Sequence, residues 1–215
     1  MKTISLKDAV AMIPDGASVM IGGFMGVGTP ERLVDELVRQ GKRGLTVIAN
    51  DNAMPGIGIG KLIAAGVVRK TIVSHIGLNP ETQKKMLASE IEVDLVPQGT
   101  LIERIRAGGY GLGGVLTPTG VGTVVEKGKQ RLELDGKPYL LEKPLRADFA
   151  LVQAFLADYI GNLYYTLTAR NFNPVIAMAA DTVIAEAENI VPVGVIAPDN
   201  VMTPAPVVDY IVSHA

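Results

Sequence analysis

Asp15-Gly16-Ala17-Ser18-Val19-Met20-Ile21-Gly22-Gly23-Phe24-Met25-Gly26-Val27-Gly28-Thr29-Pro30 runs an apolar strand into a glycine loop and out into a helix. Val19, Met20 and Ile21 make the short apolar run of a buried parallel strand, with Asp15-Gly16 as the turn before it. Glycines at 22, 23, 26 and 28 leave backbone N–H groups uncovered by side chains, so a ligand oxygen could approach the main chain closely. Thr29 reads as the helix N-cap and Pro30 as the first helical residue, which aims the positive end of the helix dipole at the loop. A purely structural strand-to-helix turn would use the same residues.

Working outward, short apolar strands alternate with helical patterns. Residues 45–49, 71–74, 93–96 and 147–152 read as strands, and 30–40, 80–89 and 100–107 as helices. Asn79 before Pro80, and Asn173 before Pro174, repeat the cap-then-proline start. The alternation predicts an α/β fold, a mainly parallel open sheet flanked by helices. Within 131–142, Asp135-Gly136 between two alternating segments predicts a small β-hairpin insertion. Residues 1–215 read as a single domain, long enough to bury about 70% or more of the unfolded surface. The softest segment, 108–123, reads either as a flexible wall over an active site or as a plain surface loop.

Composition narrows the function. The chain is 48% hydrophobic, yet no apolar run approaches the ~20 residues of a membrane span, and the start lacks the apolar core of a signal peptide, so a cytoplasmic protein with no membrane partner is expected. Zero cysteines exclude disulfides, thiolate metal sites and a cysteine nucleophile. Twenty basic against 22 acidic residues, without a basic cluster, argue against a nucleic-acid partner. With His75 and His214 the only histidines, no polyhistidine metal site is available. His75, ending an apolar run, reads as a hydrogen-bonded structural histidine, and His214 as part of a frayed terminus. Gly109-Tyr110-Gly111-Leu112-Gly113-Gly114 satisfies the dinucleotide fingerprint, with Glu133 beyond it. It follows a helix and runs into Thr117-Pro118, whereas the fingerprint must follow a strand and open a helix.

The order Gly22-Gly23-Phe24, Gly28, Pro30 resembles the first signature of the coenzyme A transferase family, in the α-subunit branch that handles short-chain acids such as acetate, butyrate and acetoacetate. Asn50-Asp51-Asn52, Ser74-His75-Ile76-Gly77 with Asn79-Pro80-Glu81-Thr82, Val96-Pro97-Gln98-Gly99-Thr100-Leu101, Leu116–Thr123 and Arg170-Asn171-Phe172-Asn173-Pro174 resemble that branch in order and spacing, over nearly the whole chain. The resemblance implies ping-pong transfer of coenzyme A between acyl-CoA donors and carboxylate acceptors. It also implies no tightly bound cofactor, coenzyme A as a substrate only, and a homologous β subunit in an A2B2 tetramer that brings the nucleophilic glutamate.

This chain's own glutamates agree with a missing nucleophile. Glu126-Lys127-Gly128 imitates the Glu-x-Gly pattern of that residue, but Lys127, Lys129 and Arg131 describe a solvated turn, and Glu31, Glu36, Glu81, Glu90, Glu92 and Glu103 fall on helix faces or strand edges. What the chain offers is electrostatic stabilisation of the oxyanion that forms on thioester attack. Gln98, just past the strand 93–96, lies where open α/β sheets bind ligands, and the family's glutamine in this motif faces the active site; it would equally suit a helix cap. Gly22, Gly23, Phe24, Met25, Gly26, Val27 and Gly28 are the candidates for holding coenzyme A. Asn50 and Asn52, with Gly99, are candidates for substrate, although the asparagines could simply close Asx turns. Lys84, Lys85, Arg104 and Arg106 are available to the coenzyme's phosphates or to solvent. Two other readings stay open on a related fold: a ligand-binding sensor, which would need a DNA-binding segment, and a sugar-phosphate isomerase, which would need an acid/base pair in one chain.

Overall fold

The computed structural model describes residues 3–213, so His214 lies outside the described residues. In chain order the first half is α1 (Leu6–Ala11), β1 (Ser18–Ile21), α2 (Glu31–Arg39), β2 (Leu45–Ile48), α3 (Ile59–Ala64), β3 (Val68–Val73), α4 (Pro80–Leu87), β4 (Glu92–Leu95) and α5 (Gln98–Gly109). The second half is β5 (Val115–Thr117), β6 (Gln130–Leu134), β7 (Lys137–Glu142), β8 (Ala147–Asp158), β9 (Leu163–Tyr164), α6 (Asn173–Ile176), β10 (Ala180–Val191) and β11 (Tyr210–Ser213).

The main sheet has the order β11-β10-β8-β1-β2-β3-β4, parallel throughout, with the short β9 antiparallel to β8. The α/β expectation is therefore met. β1 is the pivot. Val19 and Ile21 pack into one apolar cluster with residues of α1, α2 and α3, and Met20 packs into the other with α5 and α6, so helices cover both faces and the strand is apolar at successive positions. From β1 the chain winds outward through β2, β3 and β4, then returns through the small sheet to β8 on the other side of β1. The strand order reverses between β1 and β8, where doubly wound sheets open a crevice at their carboxyl ends.

The predicted hairpin forms as expected. Leu134 pairs with Lys137 across Asp135 (φ 51°) and Gly136 (φ 71°), a two-residue type I′ turn. β5 joins its far side to make a three-stranded antiparallel sheet, so part of 108–123 is paired strand rather than loop. Gly109 ends α5 and the glycines beyond it lead into β5, the wrong context for dinucleotide binding.

Several local expectations are corrected. α2 begins at Glu31 with Pro30 at the cap position and no side-chain cap of its own; Thr29 does not cap it. The buried Glu186 of β10 takes that role, accepting from Arg32 N at 3.3 Å and Leu33 N at 2.9 Å. Asn79 does cap α4, accepting from Thr82 N at 3.0 Å. Asn173, by contrast, sits inside a four-residue helix and spends its side chain elsewhere. α5 starts at Gln98 rather than at 100, and β8 extends to twelve residues. β10, whose Ala-Glu composition suits a helix, is a strand because its small side chains fit between two packed layers and Glu186 meets donors there. No helix among the described residues is long and apolar enough to cross a membrane.

Candidate active site

The carboxyl ends of β1, β2, β3 and β4 converge on a cavity of about 320 Å3, with Phe24, Met25 and Leu78 on its apolar side and Asn50, Asp51, Ser74, His75 and Gln98 on its polar side.

The glycine loop is a miniature hairpin. Phe24 N donates to Val27 O, and Val27 N to Phe24 O, both at 3.0 Å, across Met25 (φ 52°) and Gly26 (φ 92°). Gly22 N donates to Leu151 O at 3.0 Å, Gly23 N to Asn171 Oδ1 at 3.2 Å and Met25 N to Asp51 Oδ2 at 3.0 Å. Most N–H groups expected to face a ligand are thus spent inside the protein; among the described residues those of Gly26 and Gly28 have no acceptor. The loop instead presents side chains, with Phe24 43%, Met25 38% and Val27 51% exposed. They also border a second, largely apolar cavity of about 620 Å3 shared with Thr168 and Asn171. The glycines serve close packing: a Cβ on Gly23 (φ 123°) would collide with Thr29 Oγ1, and one on Gly22 with Asn173 Oδ1.

Two asparagines, one just before α6 and one at its start, hold this loop. Asn171 Oδ1 accepts from Gly23 N, while its Nδ2 donates to Val27 O at 2.9 Å and Thr168 O at 2.8 Å, so one side chain ties both arms of the hairpin. The fully buried Asn173 donates to Gly28 O at 2.9 Å and Ala169 O at 2.8 Å and accepts from Gln153 N at 3.1 Å.

On the opposite wall the end of β2 carries a chain of bonds. Gln98 Nε2 donates to Asn50 Oδ1 at 2.6 Å, Asn50 Nδ2 donates to Asp51 Oδ2 at 2.6 Å, and Asp51 also accepts from Ala53 N at 2.7 Å. Ser74 fastens β3 to the same strand end, its N and Oγ donating to Asn50 O at 2.8 and 2.7 Å. Gln98 makes no helix-capping bond; Pro97 holds the cap position, so the capping alternative fails. The Asx turn here belongs to Asp51 and Ala53, not to either asparagine.

Not all the expected residues come together. Asn52 is fully buried and faces away from the cavity, accepting from Thr71 Oγ1 at 2.9 Å through its side chain and from Asn79 Nδ2 at 3.1 Å through its carbonyl, so it fastens α4 to the sheet. Gly99 lies one residue beyond Gln98 on a separate cavity of about 410 Å3 beside β5. His75 is exposed with its side chain unbonded, rather than hydrogen-bonded as expected. Glu126 accepts from Gly122 N at 2.6 Å and lies 3.5 Å from Arg131, in a turn away from the cavity. Of the basic residues suggested for the coenzyme's phosphates, Arg106 pairs with Glu103 at 3.1 Å, Lys85 with Glu81 at 3.5 Å, and Arg104 donates to Lys143 O at 2.8 Å; neither these three nor Lys84 lines the 320 Å3 cavity. Among the described residues no group of His, Asp and Glu is arranged to hold a metal ion.

Asp51, Asn171 and Asn173 are residues to which sequence reasoning gives no part in the site, Asn173 reading only as a helix cap. Each stands in one of the family-like motifs, but nothing in the chain order says that Asp51 meets Met25, or that Asn171 meets Gly23.

Asp51 is the only carboxylate on the cavity among the described residues, and both its oxygens are occupied by N–H donors. The arrangement therefore supplies oriented amides beside an apolar wall and, among the described residues, no free carboxylate.

A family model described as coenzyme A transferase matches residues 3–214. The alpha chain of the acetate CoA-transferase of Escherichia coli K12 is 58% identical over 211 residues, covering 98% of this chain and 96% of that protein. The acetoacetyl-CoA:acetate/butyrate CoA transferase alpha subunit of Clostridium acetobutylicum is 51% identical, covering 99% and 98%. Among solved structures, an acyl-CoA transferase of E. coli O157:H7, as its thioester complex with CoA, superposes with a TM-score of 0.88 at 24% identity, a likeness of fold. That superposition covers 99% of this chain and 47% of the other protein's length.

Proposed function

The chain belongs to the coenzyme A transferase family, and from that membership we propose that it is the α subunit of an enzyme moving coenzyme A between short-chain acyl-CoA donors and carboxylate acceptors of the acetate, butyrate and acetoacetate class. The E. coli K12 and Clostridium relatives are α subunits of such enzymes. The sensor and isomerase readings find no support among them.

The reaction needs a carboxylate nucleophile. It attacks the thioester carbonyl, a tetrahedral oxyanion forms, and the C–S bond breaks to give an acyl-enzyme anhydride and the coenzyme A thiolate. The thiolate then attacks the enzyme's own carbonyl of the anhydride, expelling the first acid as its carboxylate and leaving an enzyme–CoA thioester. The acceptor acid reverses these steps. The thioester's energy is conserved throughout, so no tightly bound cofactor is required. The nucleophile is a glutamate of a homologous β subunit, in an A2B2 assembly working in the cytoplasm on free metabolites. One observation carries this division of labour: Asp51, the single carboxylate on the cavity among the described residues, is saturated with donors, while the adjacent Gln98 amide is oriented by Asn50.

In this reading the Gln98 amide donates to the developing oxyanion, an interaction of about 3–4 kcal/mol in such sites. Phe24, Met25 and Val27, with the glycines that shape their loop, hold the thioester and pantetheine arm. Asn50 acts by orienting Gln98.

Purified alone, the chain should show no acyl-CoA:carboxylate transferase activity and should gain it on mixing with its β subunit. Borohydride trapping during turnover should modify the β partner and leave this chain untouched. Robust turnover by the isolated chain, or a label on one of its carboxylates, overturns the proposal.

A further inference from the structure

Of the polar side chains lining the 320 Å3 cavity, His75 alone has no hydrogen-bond partner among the described residues. Asn50, Asp51, Ser74 and Gln98 are bonded to one another or to backbone. The oxygens of Asp51 are taken by Met25 N, Ala53 N and Asn50 Nδ2, so Asp51 does not claim the imidazole. The backbones of Asp51 and His75 form a parallel bridge that fixes where the ring starts, and a Cβ on Gly77 would come within 2.7 Å of His75 Nε2, so glycine at 77 is what leaves the ring its place. The rest of the wall is apolar.

We propose that His75 is a specificity-determining residue that donates a hydrogen bond to the 3-oxo oxygen of a 3-oxoacyl group, of which acetoacetyl is the shortest. The inference rests on the transferase function proposed above. A neutral imidazole carries one N–H whichever tautomer is present, and a protonated one carries two. A 3-oxo oxygen enclosed by Phe24, Met25 and Leu78 without a donor would lose its hydrogen bond to water and gain nothing. A saturated acyl chain has no such oxygen and needs only the apolar wall. One site thereby accepts both substrate types and favours the one that completes the unpaired donor.

The test uses the assembled α/β enzyme with acetate as acceptor, comparing kcat/KM for acetoacetyl-CoA and butyryl-CoA. His75→Phe keeps an aromatic ring and removes the donor; the acetoacetyl-to-butyryl ratio should fall about tenfold. His75→Gln keeps a donor and should hold the ratio within about threefold of wild type. Should His75→Phe turn over neither substrate, calorimetric binding of the two acyl-CoAs to that assembled variant supplies the same ratio. An unchanged ratio, or equal losses for both acyl groups, overturns the role of His75. A wild-type complex inactive with both substrates instead overturns the transferase reading itself.

Discussion

Gln98 Nε2 donates to Asn50 Oδ1 at 2.6 Å, and Asn50 in turn donates to Asp51 at 2.6 Å. The buried carboxylate fixes Asn50 with its oxygen facing Gln98, and Asn50 fixes the Gln98 amide with one N–H left for a ligand. The orientation of a group on α5 is therefore set at the end of β2, 48 residues earlier in the chain.

Gln98→Ala should lower kcat of the assembled enzyme by roughly 10²-fold or more, with little change in melting temperature, because Gln98 caps nothing. Asn50→Ala should lose a comparable share of kcat and also destabilise the fold by about 1–3 kcal/mol, since Asp51 loses a buried donor. Together the two substitutions should cost less than the product of their separate effects. Strictly multiplicative losses would show that Asn50 does not act through Gln98.

Asn171→Ala should leave Gly23 N and Val27 O without their side-chain partner and loosen the glycine loop. The expected result is a severalfold rise in KM for acyl-CoA and faster hydrogen exchange at the Gly23 amide, with the core amides of β8 unaffected. Wild-type KM together with wild-type exchange at Gly23 would show that the asparagine clamp is redundant.

Glu126→Gln should leave kcat of the assembled enzyme within about twofold. The side chain serves a local turn, accepting from Gly122 N at 2.6 Å. A collapse of kcat with the fold intact would bring the nucleophile back to this chain.

Much of this was legible in the chain itself. Val19-Met20-Ile21 reads as a two-sided buried strand because a strand covered on both faces needs apolar residues at successive positions, and the run is short and bounded by the Asp15-Gly16 turn and Gly22-Gly23. Asp135-Gly136 fixes its hairpin because both positions require positive φ. What stayed hidden is what depends on distant partners. The cap of α2 is Glu186, more than 150 residues beyond it, so Thr29 looked like the natural candidate. The loop N–H groups looked free because their acceptors lie far along the chain, Asp51 past the end of β2 and Asn171 just before α6. Asn50 and Asn52 are indistinguishable in sequence, yet their side chains part company, one meeting Gln98 at the cavity and the other Thr71 in the core.

Acid unfolding should report the bonds that join the starts of β1 and β8. Asp148 Oδ2 accepts from Ser18 N at 2.8 Å and Ser18 Oγ at 2.7 Å. The backbone bond first, and the hydroxyl second, hold its carboxyl below the ordinary aspartate range. Glu36 is lowered in the same sense, chiefly by its bonds to the Arg39 guanidinium. A carboxyl that binds its proton less readily in the folded state adds stability at pH values above its unfolded pKa of about 4, and that stability drains away as the pH falls through the lower folded value. Asp148→Asn removes the titration and keeps an oxygen for Ser18 to donate to. The stability measured by urea unfolding of the assembled enzyme at a series of pH values should therefore fall less steeply for Asp148→Asn than for wild type between about pH 5 and pH 2. The difference should be modest, because Asp148 is exposed to solvent. Parallel curves would mean that Asp148 titrates alike in the folded and unfolded chain, and that the Ser18 bonds do not favour its charged form.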